Sequence, residues 1–430
     1  MAGDRRRLDR GLHRRHGEGR GGAWVSRAAR QGRLRQREQR HAPDRHPQPR
    51  QPALWRRRHQ HARCLPADGR RHGEGLAGRG VGAAALHLRE RGAALRGALT
   101  AVAGNPTDPA SRGIYADRLD PELWNYIEKV NSWYPPEIVA APIAEQRAVY
   151  DRMCVAFHQG RPDGVTASDG VVATAAHAIA VRRYRMANKA ATAVVVYYHG
   201  GGFVLGNLDS HDDICAEICA GTGFEVVSAD YRLAPEHPHP AAFDDALAVF
   251  EWVAATSALP IVLCGESAGG NLAAAVAQAT RLHARHAVGQ MLIYPGLGGD
   301  ETGHSYVEHA EAPLLTVSDI EFYRRIRSAH RQPANDPTFS PLRDRDFSCL
   351  PPTIIVTAEC DPLSSDGEAY RDRILDAGGW ATWREEPRLV HSFLRARPTV
   401  PRAAEAFARI VSDIARLGAS DEALIPPRGG

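Results

Sequence analysis

From about residue 120 onward, short apolar runs alternate with amphipathic stretches, and the spacing within each predicts its form. Leu123, Tyr126, Ile127 and Val130 recur at i, i+3, i+4 and i+7, one face of a helix. Asp120 stands at the cap position, Pro121 suits the first helical position, and Trp133-Tyr134-Pro135-Pro136 ends the element. A second helix is expected over residues 143–158. Both precede the first expected strand, so neither can be a crossover helix. They read as a helical cap lying over something, or simply as two packing helices.

Alternation over residues 178–186 suits an early strand. Five short apolar runs follow, at 194–198, 225–229, 261–264, 291–294 and 353–357, with a strand-like stretch at 381–385. Helical patterns lie between them. Ser210, with Asp213 three residues on, reads as the opening of one, with Ile214 and Ile218 facing inward. Phe243, Leu247 and Phe250 share the face of the next, and an alanine-rich helix is expected over 268–282. Phe407, Ile410, Val411, Ile414 and Leu417 share the last, with Gly418 placed to stop it. Strands alternating with helices in this way imply an α/β fold with a mostly parallel sheet covered on both faces. Ligands of such sheets lie at the carboxyl ends of the strands. Residues 296–341 interrupt the alternation with a long loop and a helix starting at Thr316, with Asp319 as its N3 partner.

Composition divides the chain in two. Of its 430 residues, 43% are hydrophobic and 24% charged, ordinary values for a globular protein, and the net charge is +4. The first hundred residues carry 25 Arg and no Lys against 8 acidic residues, a net of +17, so the remainder carries −13. That first segment also lacks Ile, Phe, Tyr and Asn. It cannot bury enough apolar surface to offset the entropy of ordering its backbone, so residues 1–105 are expected to be disordered. Heavy Arg, Ala and Gly with almost no Lys would also result from out-of-frame translation of GC-rich DNA, which would put the native start near Gly113. With only Trp24 and Trp55 among its aromatics, a nucleic-acid arm is the weaker reading. The expected organisation is cap helices over 113–170, a catalytic domain over 171–418 and a tail over 419–430. No secretory signal and no membrane span are expected. The seven cysteines form no C-x-x-C pair, and all are expected to be reduced, in a cytoplasmic protein.

Three stretches carry the chemistry. Gly265-Glu266-Ser267-Ala268-Gly269 joins an apolar strand to a helix, and the small residues flanking Ser267 leave room for a sharp turn that exposes its hydroxyl. A glycine-rich turn whose serine only caps the helix is the plainer reading. His199-Gly200-Gly201-Gly202-Phe203 leaves another strand, and its glycines let main-chain N–H groups approach a ligand oxygen. Losing one such donor in acyl transfer typically costs roughly 100- to 1,000-fold in turnover. A serine needs a base, usually a histidine oriented by a carboxylate. Asp361 follows the run at 353–357, with Glu359 and Asp366 as competitors, and His391 follows the stretch at 381–385.

Together with Asp230-Tyr231-Arg232-Leu233-Ala234-Pro235-Glu236, Asp361-Pro362-Leu363 and His391-Ser392-Phe393, these motifs resemble the hormone-sensitive-lipase-like family of α/β-hydrolases, in its bacterial esterase branch. The resemblance spans residues 120–418. It implies an α/β-hydrolase fold with an N-terminal helical cap. It implies Ser267 as nucleophile, His391 as general base and acid, Asp361 as its orienter, and the Gly201, Gly202 and Ala268 amides as an oxyanion hole. His199, Phe203, Trp124, Tyr126, Trp133 and Tyr134 are candidates for the substrate pocket. The family commonly has Asp where Glu266 stands, and Gly where Arg388 and Ser392 stand. None of these changes removes a group the chemistry needs. Arg232 and Glu236 are expected to pair and brace a strand end.

The activity the resemblance implies is hydrolysis of short- to medium-chain acyl esters, and no cofactor or metal is expected. Amide or lactone hydrolysis on the same triad, or a non-catalytic ligand-binding protein, are the alternatives. The expected partner is a small-molecule acyl ester. Nucleic acid is not expected, and a homodimer is left open.

Overall fold

Every residue of the run Val194–Tyr198 is buried, yet the run serves two cores. Val195 and Tyr197 pack into one apolar cluster, and Val194, Val196 and Tyr198 into another. Side chains alternate across a strand, so an unbroken apolar run marks one covered on both faces. The computed structural model describes residues 109–331 and 333–419. The Arg-rich segment 1–105 and the tail beyond 419 lie outside them.

Two helices come first, α1 (Pro121–Asn131) and α2 (Ile143–Phe157). The strands β1 (Val165–Ala173), β2 (Ala178–Met186) and β3 (Val194–Tyr198) follow. Next come α3 (Asp212–Thr222), β4 (Glu225–Ala229), α4 (Ala241–Thr256), β5 (Ile261–Glu266), α5 (Ala268–Ala279) and β6 (Gly289–Ile293). The inserted segment holds α6 (His304–Glu308) and α7 (Val317–Arg327). The chain closes with β7 (Thr353–Cys360), α8 (Ser364–Asp376), β8 (Ala381–Val390) and α9 (Pro401–Gly418).

The strands form one eight-stranded sheet in the order β1-β2-β4-β3-β5-β6-β7-β8. Pairing is antiparallel at β1–β2 and β2–β4 and parallel from β4 to β8. Ile214 and Ile218 of α3 and Phe407, Ile410 and Ile414 of α9 join one core, together with Leu123 and Ile127 of α1. Phe243 and Phe250 of α4, Leu272 of α5 and Tyr370 of α8 join the other. Among the described residues no helix is long and apolar enough to cross a membrane.

Several local expectations change. β1 has no counterpart in the apolar pattern, because most of its residues face solvent and only Val172 is buried. Helix α3 begins at Asp212, and the Ser210 hydroxyl turns back instead to the Asn207 carbonyl at 2.8 Å. Asp120 precedes α1 without a side-chain cap bond, since its carboxylate is taken by Arg388 at 2.9 Å and Arg402 at 3.1 Å. Gly418 is the last helical residue rather than the stop, and a Cβ there would strike the ring of Phe224. The Thr316–Asp319 capping box at the start of α7 is present in both directions. Arg232 and Glu236 do not pair with each other. Arg232 instead grips buried Asp245, one turn into α4, at 2.8 Å, and Glu236 meets Arg147 of α2 at 2.7 Å. Cys154, Cys215, Cys219, Cys264 and Cys360 are free and buried. Cys349 is disulfide-bonded, which corrects the expectation of seven reduced thiols. It stands half-buried in the loop before β7.

Candidate active site

Ser267, Asp361, His391 and the glycines after β3 all leave carboxyl ends of parallel strands, so the sheet alone brings them to one edge. Ser267 has φ 52° and ψ −116°, a region that costs a non-glycine residue of order 1–3 kcal/mol. The surroundings hold it there. Its N–H donates to Ile293 O of β6 at 2.9 Å. A Cβ on Gly265 would fall on the Gly269 carbonyl, and one on Gly269 would fall on the Tyr198 carbonyl of β3. Glycine at these two positions is therefore the condition for β5, α5 and β3 to meet.

His391 Nε2 lies 2.9 Å from Ser267 Oγ, and His391 Nδ1 lies 2.7 Å from Asp361 Oδ2. A carboxylate accepts only, so Nδ1 carries the proton and leaves Nε2 free to accept from the serine. Asp361 is fully buried, and its Oδ1 accepts the Leu363 N–H at 2.9 Å. The competing carboxylates are engaged elsewhere. Glu359 accepts the Arg388 N–H at 2.7 Å. Asp366 accepts the Leu297 N–H at 2.7 Å, and burial pushes its carboxyl up to about 6. Such an arrangement can move a proton from the serine to the imidazole while the aspartate fixes the ring.

Gly201 and Gly202 have φ 115° and 62°. The carbonyl of Gly201 accepts the N–H groups of Val204 and Leu205 at 3.1 and 2.8 Å, which turns the loop back on itself. The Ala268 amide is the first of α5, where an N–H has no intrahelical acceptor. A Cβ on Gly202 would press into the Tyr323 ring, so α7 of the inserted segment backs this loop. Arg327 of the same helix stacks on Phe203 at 3.5 Å and on Phe339 at 4.3 Å, and donates to the Phe339 carbonyl at 2.9 Å. Burial pulls its guanidinium down to about 9.

The candidate pocket residues divide. Trp133 and Tyr134 are half-buried against the apolar cluster beneath the N-terminal helices. Tyr126 is buried edge-on to Phe157, and Trp124 is buried under the Arg112 guanidinium at 4.5 Å. Phe203 is covered by Arg327. His199 is fully buried and lies under the glycine loop rather than on a pocket wall. Gly206, with φ 94°, lets the chain fold over it, and a Cβ there would come within 2.5 Å of His199 Nδ1. The ring stacks on Tyr231 at 4.3 Å, and its Nδ1 lies 2.7 Å from the Gly200 carbonyl. Tyr323 and Tyr294 were not indicated by any motif, whereas Glu266 stands inside the serine motif. The one available signal was a carboxylate, Glu266, inside an otherwise apolar run.

Burial, with the His211 imidazole adding to it, pulls the His199 imidazole down to about 3. The unfolded chain binds this proton near pH 6.5 and the folded chain does not. The stability contributed by neutral His199 is therefore present above that value and is lost as pH falls towards 3, at about 1.4 kcal/mol per pH unit. Urea unfolding at pH 6.5 and 4.5 should show the native chain losing about 2 kcal/mol more than His199→Asn. Equal losses would mean that the ring is protonated in place.

Among the described residues no group of three His, Cys, Asp or Glu side chains could hold a metal ion. The family model described as the alpha/beta hydrolase fold matches residues 195–395. Carboxylesterase NlhH of Mycobacterium tuberculosis is 40% identical over 237 residues, covering 52% of this chain and 73% of that protein. The chain belongs to the α/β-hydrolase family. It is a hydrolase, and the names of its relatives agree with the hormone-sensitive-lipase-like branch. Among these hydrolases, ethyl acetate hydrolase of Pseudomonas putida is 29% identical over 315 residues, covering 68% of this chain and 97% of that protein. Two solved hydrolase structures share the fold at 32% and 31% identity. An ester hydrolase from the metagenome of Lake Arreo gives a TM-score of 0.65, covering 69% of this chain and 98% of that one. The esterase of Pyrobaculum calidifontis gives 0.63, covering 70% and 99%.

Proposed function

We infer that this α/β-hydrolase is a serine carboxylester hydrolase acting through an acyl-enzyme. Ser267 Oγ attacks the ester carbonyl carbon while His391 Nε2 takes its proton. The oxyanion is held by the N–H groups of Gly201, Gly202 and Ala268. The carbon–oxygen bond to the alcohol breaks, and the alcohol leaves with the proton from His391. Water, deprotonated by the same imidazole, then attacks the acyl carbon, and the acid departs as Ser267 regains its proton. Asp361 stays ionised and holds the ring.

The observation that carries this reading is the pair of contacts at His391, 2.9 Å to Ser267 Oγ and 2.7 Å to Asp361 Oδ2. Helices α1 and α2 act as the cap. Arg147 of α2 donates to the Val204 and Ala234 carbonyls at 2.7 and 2.9 Å, and Asp151 accepts from Asn207 at 3.0 Å. The bonds to Val204 and Asn207 tie the cap to the loop that bears the oxyanion donors. The family resemblance favours short to medium acyl groups.

The test is a p-nitrophenyl ester series from acetate to palmitate. The expected profile has its highest kcat/KM between acetate and octanoate. A well-folded protein that hydrolyses no member would leave a binding protein on a hydrolase scaffold.

A further inference from the structure

Ser267 and His391 are brought by β5 and β8, two strands that do not touch. One side chain just past the end of β6, the strand beside β5, reaches both the residue before Ser267 and the His391 ring. The Tyr294 hydroxyl donates to Glu266, the residue immediately before Ser267. Its ring centroid lies 4.8 Å from that of His391, tilted by 57°. On its other side Phe393 packs edge-on at 5.2 Å. Tyr294 itself is held at φ 34°, with its N–H on the Val356 carbonyl at 2.6 Å.

Glu266 has no role in the acyl-transfer steps, yet it is buried and anionic. Burial alone would push its carboxyl up, but the His211 imidazole and the Tyr294 hydroxyl outweigh burial and hold it well below the usual carboxylate range. Its Oε1 accepts from the Tyr197 hydroxyl at 2.8 Å and lies 2.9 Å from His211 Nε2. Each of these partners is buried. Burying a charge is costly unless it is paired and fully hydrogen-bonded, and this one is held by three partners from β3, the end of β6 and the turn before α3. One member of this cluster, the Tyr294 ring, lies against the His391 ring.

We propose that Glu266 and Tyr294 are positioning residues for His391, the tyrosine serving as a stop that fixes the plane of the imidazole between the two proton transfers. The proposal rests on the serine-hydrolase reading above. The ring must first face Ser267 Oγ and then, carrying the proton, face the leaving oxygen. A displacement of about 1 Å in a reacting group can cost roughly 100-fold. The second transfer is the more exposed to such an error, because an alkoxide needs the proton and a p-nitrophenolate does not.

The experiment compares p-nitrophenyl acetate with ethyl acetate on Tyr294→Phe, which keeps the ring and removes the hydroxyl. Thermal unfolding is followed in parallel. The expected result is a kcat lower by about 10-fold on the p-nitrophenyl ester and about 100-fold on the ethyl ester, with KM within about twofold. Glu266→Gln should show the same skew, and Glu266→Asp, which keeps the charge, should retain more of the ethyl-ester rate. If Tyr294→Phe lowers both esters by one factor, or neither, the tyrosine only packs and the proposal is overturned. If either Glu266 variant fails to fold, Tyr294→Phe decides alone. The serine-hydrolase reading fails in a different way, by Ser267→Ala keeping the native rate or by the native protein cleaving neither ester.

Discussion

Ser267→Ala is expected to lower kcat on p-nitrophenyl butyrate by roughly 10⁵- to 10⁶-fold while leaving the fold intact. Alanine removes one oxygen and adds nothing, so the bonds that form the elbow remain. The Ser267 amide still donates to Ile293 O, and Gly265 and Gly269 still admit the close approach of β5, α5 and β3. What is lost is the oxygen that lies within proton-transfer distance of His391 Nε2, at 2.9 Å. The residual rate would come from binding and the oxyanion amides. Alanine also occupies φ 52° no more easily than serine, so the thermal midpoint should move by only a few degrees. A loss of less than about 10-fold would mean that another group attacks the ester.

Gly269→Ala is the second large effect, and it should reach stability and activity together. A Cβ at this position would fall on the Tyr198 carbonyl and come within 2.6 Å of the His199 carbonyl. Both are main-chain atoms at the end of β3, so no side chain can rotate away. Relief requires moving that strand end, and overpacking of this kind typically costs about 1–3 kcal/mol, sometimes more. The same strand end carries Gly201 and Gly202. A shift of it would displace the proposed oxyanion donors, and loss of one donor is worth roughly 100- to 1,000-fold. Circular dichroism and kinetics on one preparation should therefore show a lower midpoint and a lower kcat. A variant with a normal midpoint and normal kcat would show that the elbow is looser than its geometry implies.

The parts of the fold that could be read from the sequence are those where burial fixes the residue type. Val194–Tyr198, covered on both faces, has no choice but to be apolar. The glycines of the elbow and of the loop after β3 are demanded by contacts that any Cβ would break. β1 was invisible because a mostly exposed edge strand carries no such constraint.

The histidine loop teaches the converse lesson. Arg388 and Ser392 stand where glycine was expected, and both adopt φ near 60°, the region where glycine is at ease. The backbone requirement persists even though the residue has changed. At Arg388 the cost is offset by new bonds. Its N–H donates to Glu359 at 2.7 Å, its Nε donates to the Arg118 carbonyl at 2.8 Å, and its guanidinium meets Asp120 at 2.9 Å. No pattern in the chain announces those partners, because residues 118 and 388 meet only in the folded state. The same is true of Glu266, Tyr294 and His211, which are drawn from distant segments. Pairings of this kind are set by tertiary geometry rather than by periodicity.

The central claim is that Ser267 is the attacking group and that His391 activates it. The direct measurement is peptide mapping by mass spectrometry after treatment with diethyl p-nitrophenyl phosphate, with activity followed alongside. The account predicts loss of activity in step with a single diethylphosphoryl group on the peptide that contains Ser267, and labelling slowed in His391→Ala. Inactivation with the label on another residue, or labelling of Ser267 without loss of activity, would contradict it.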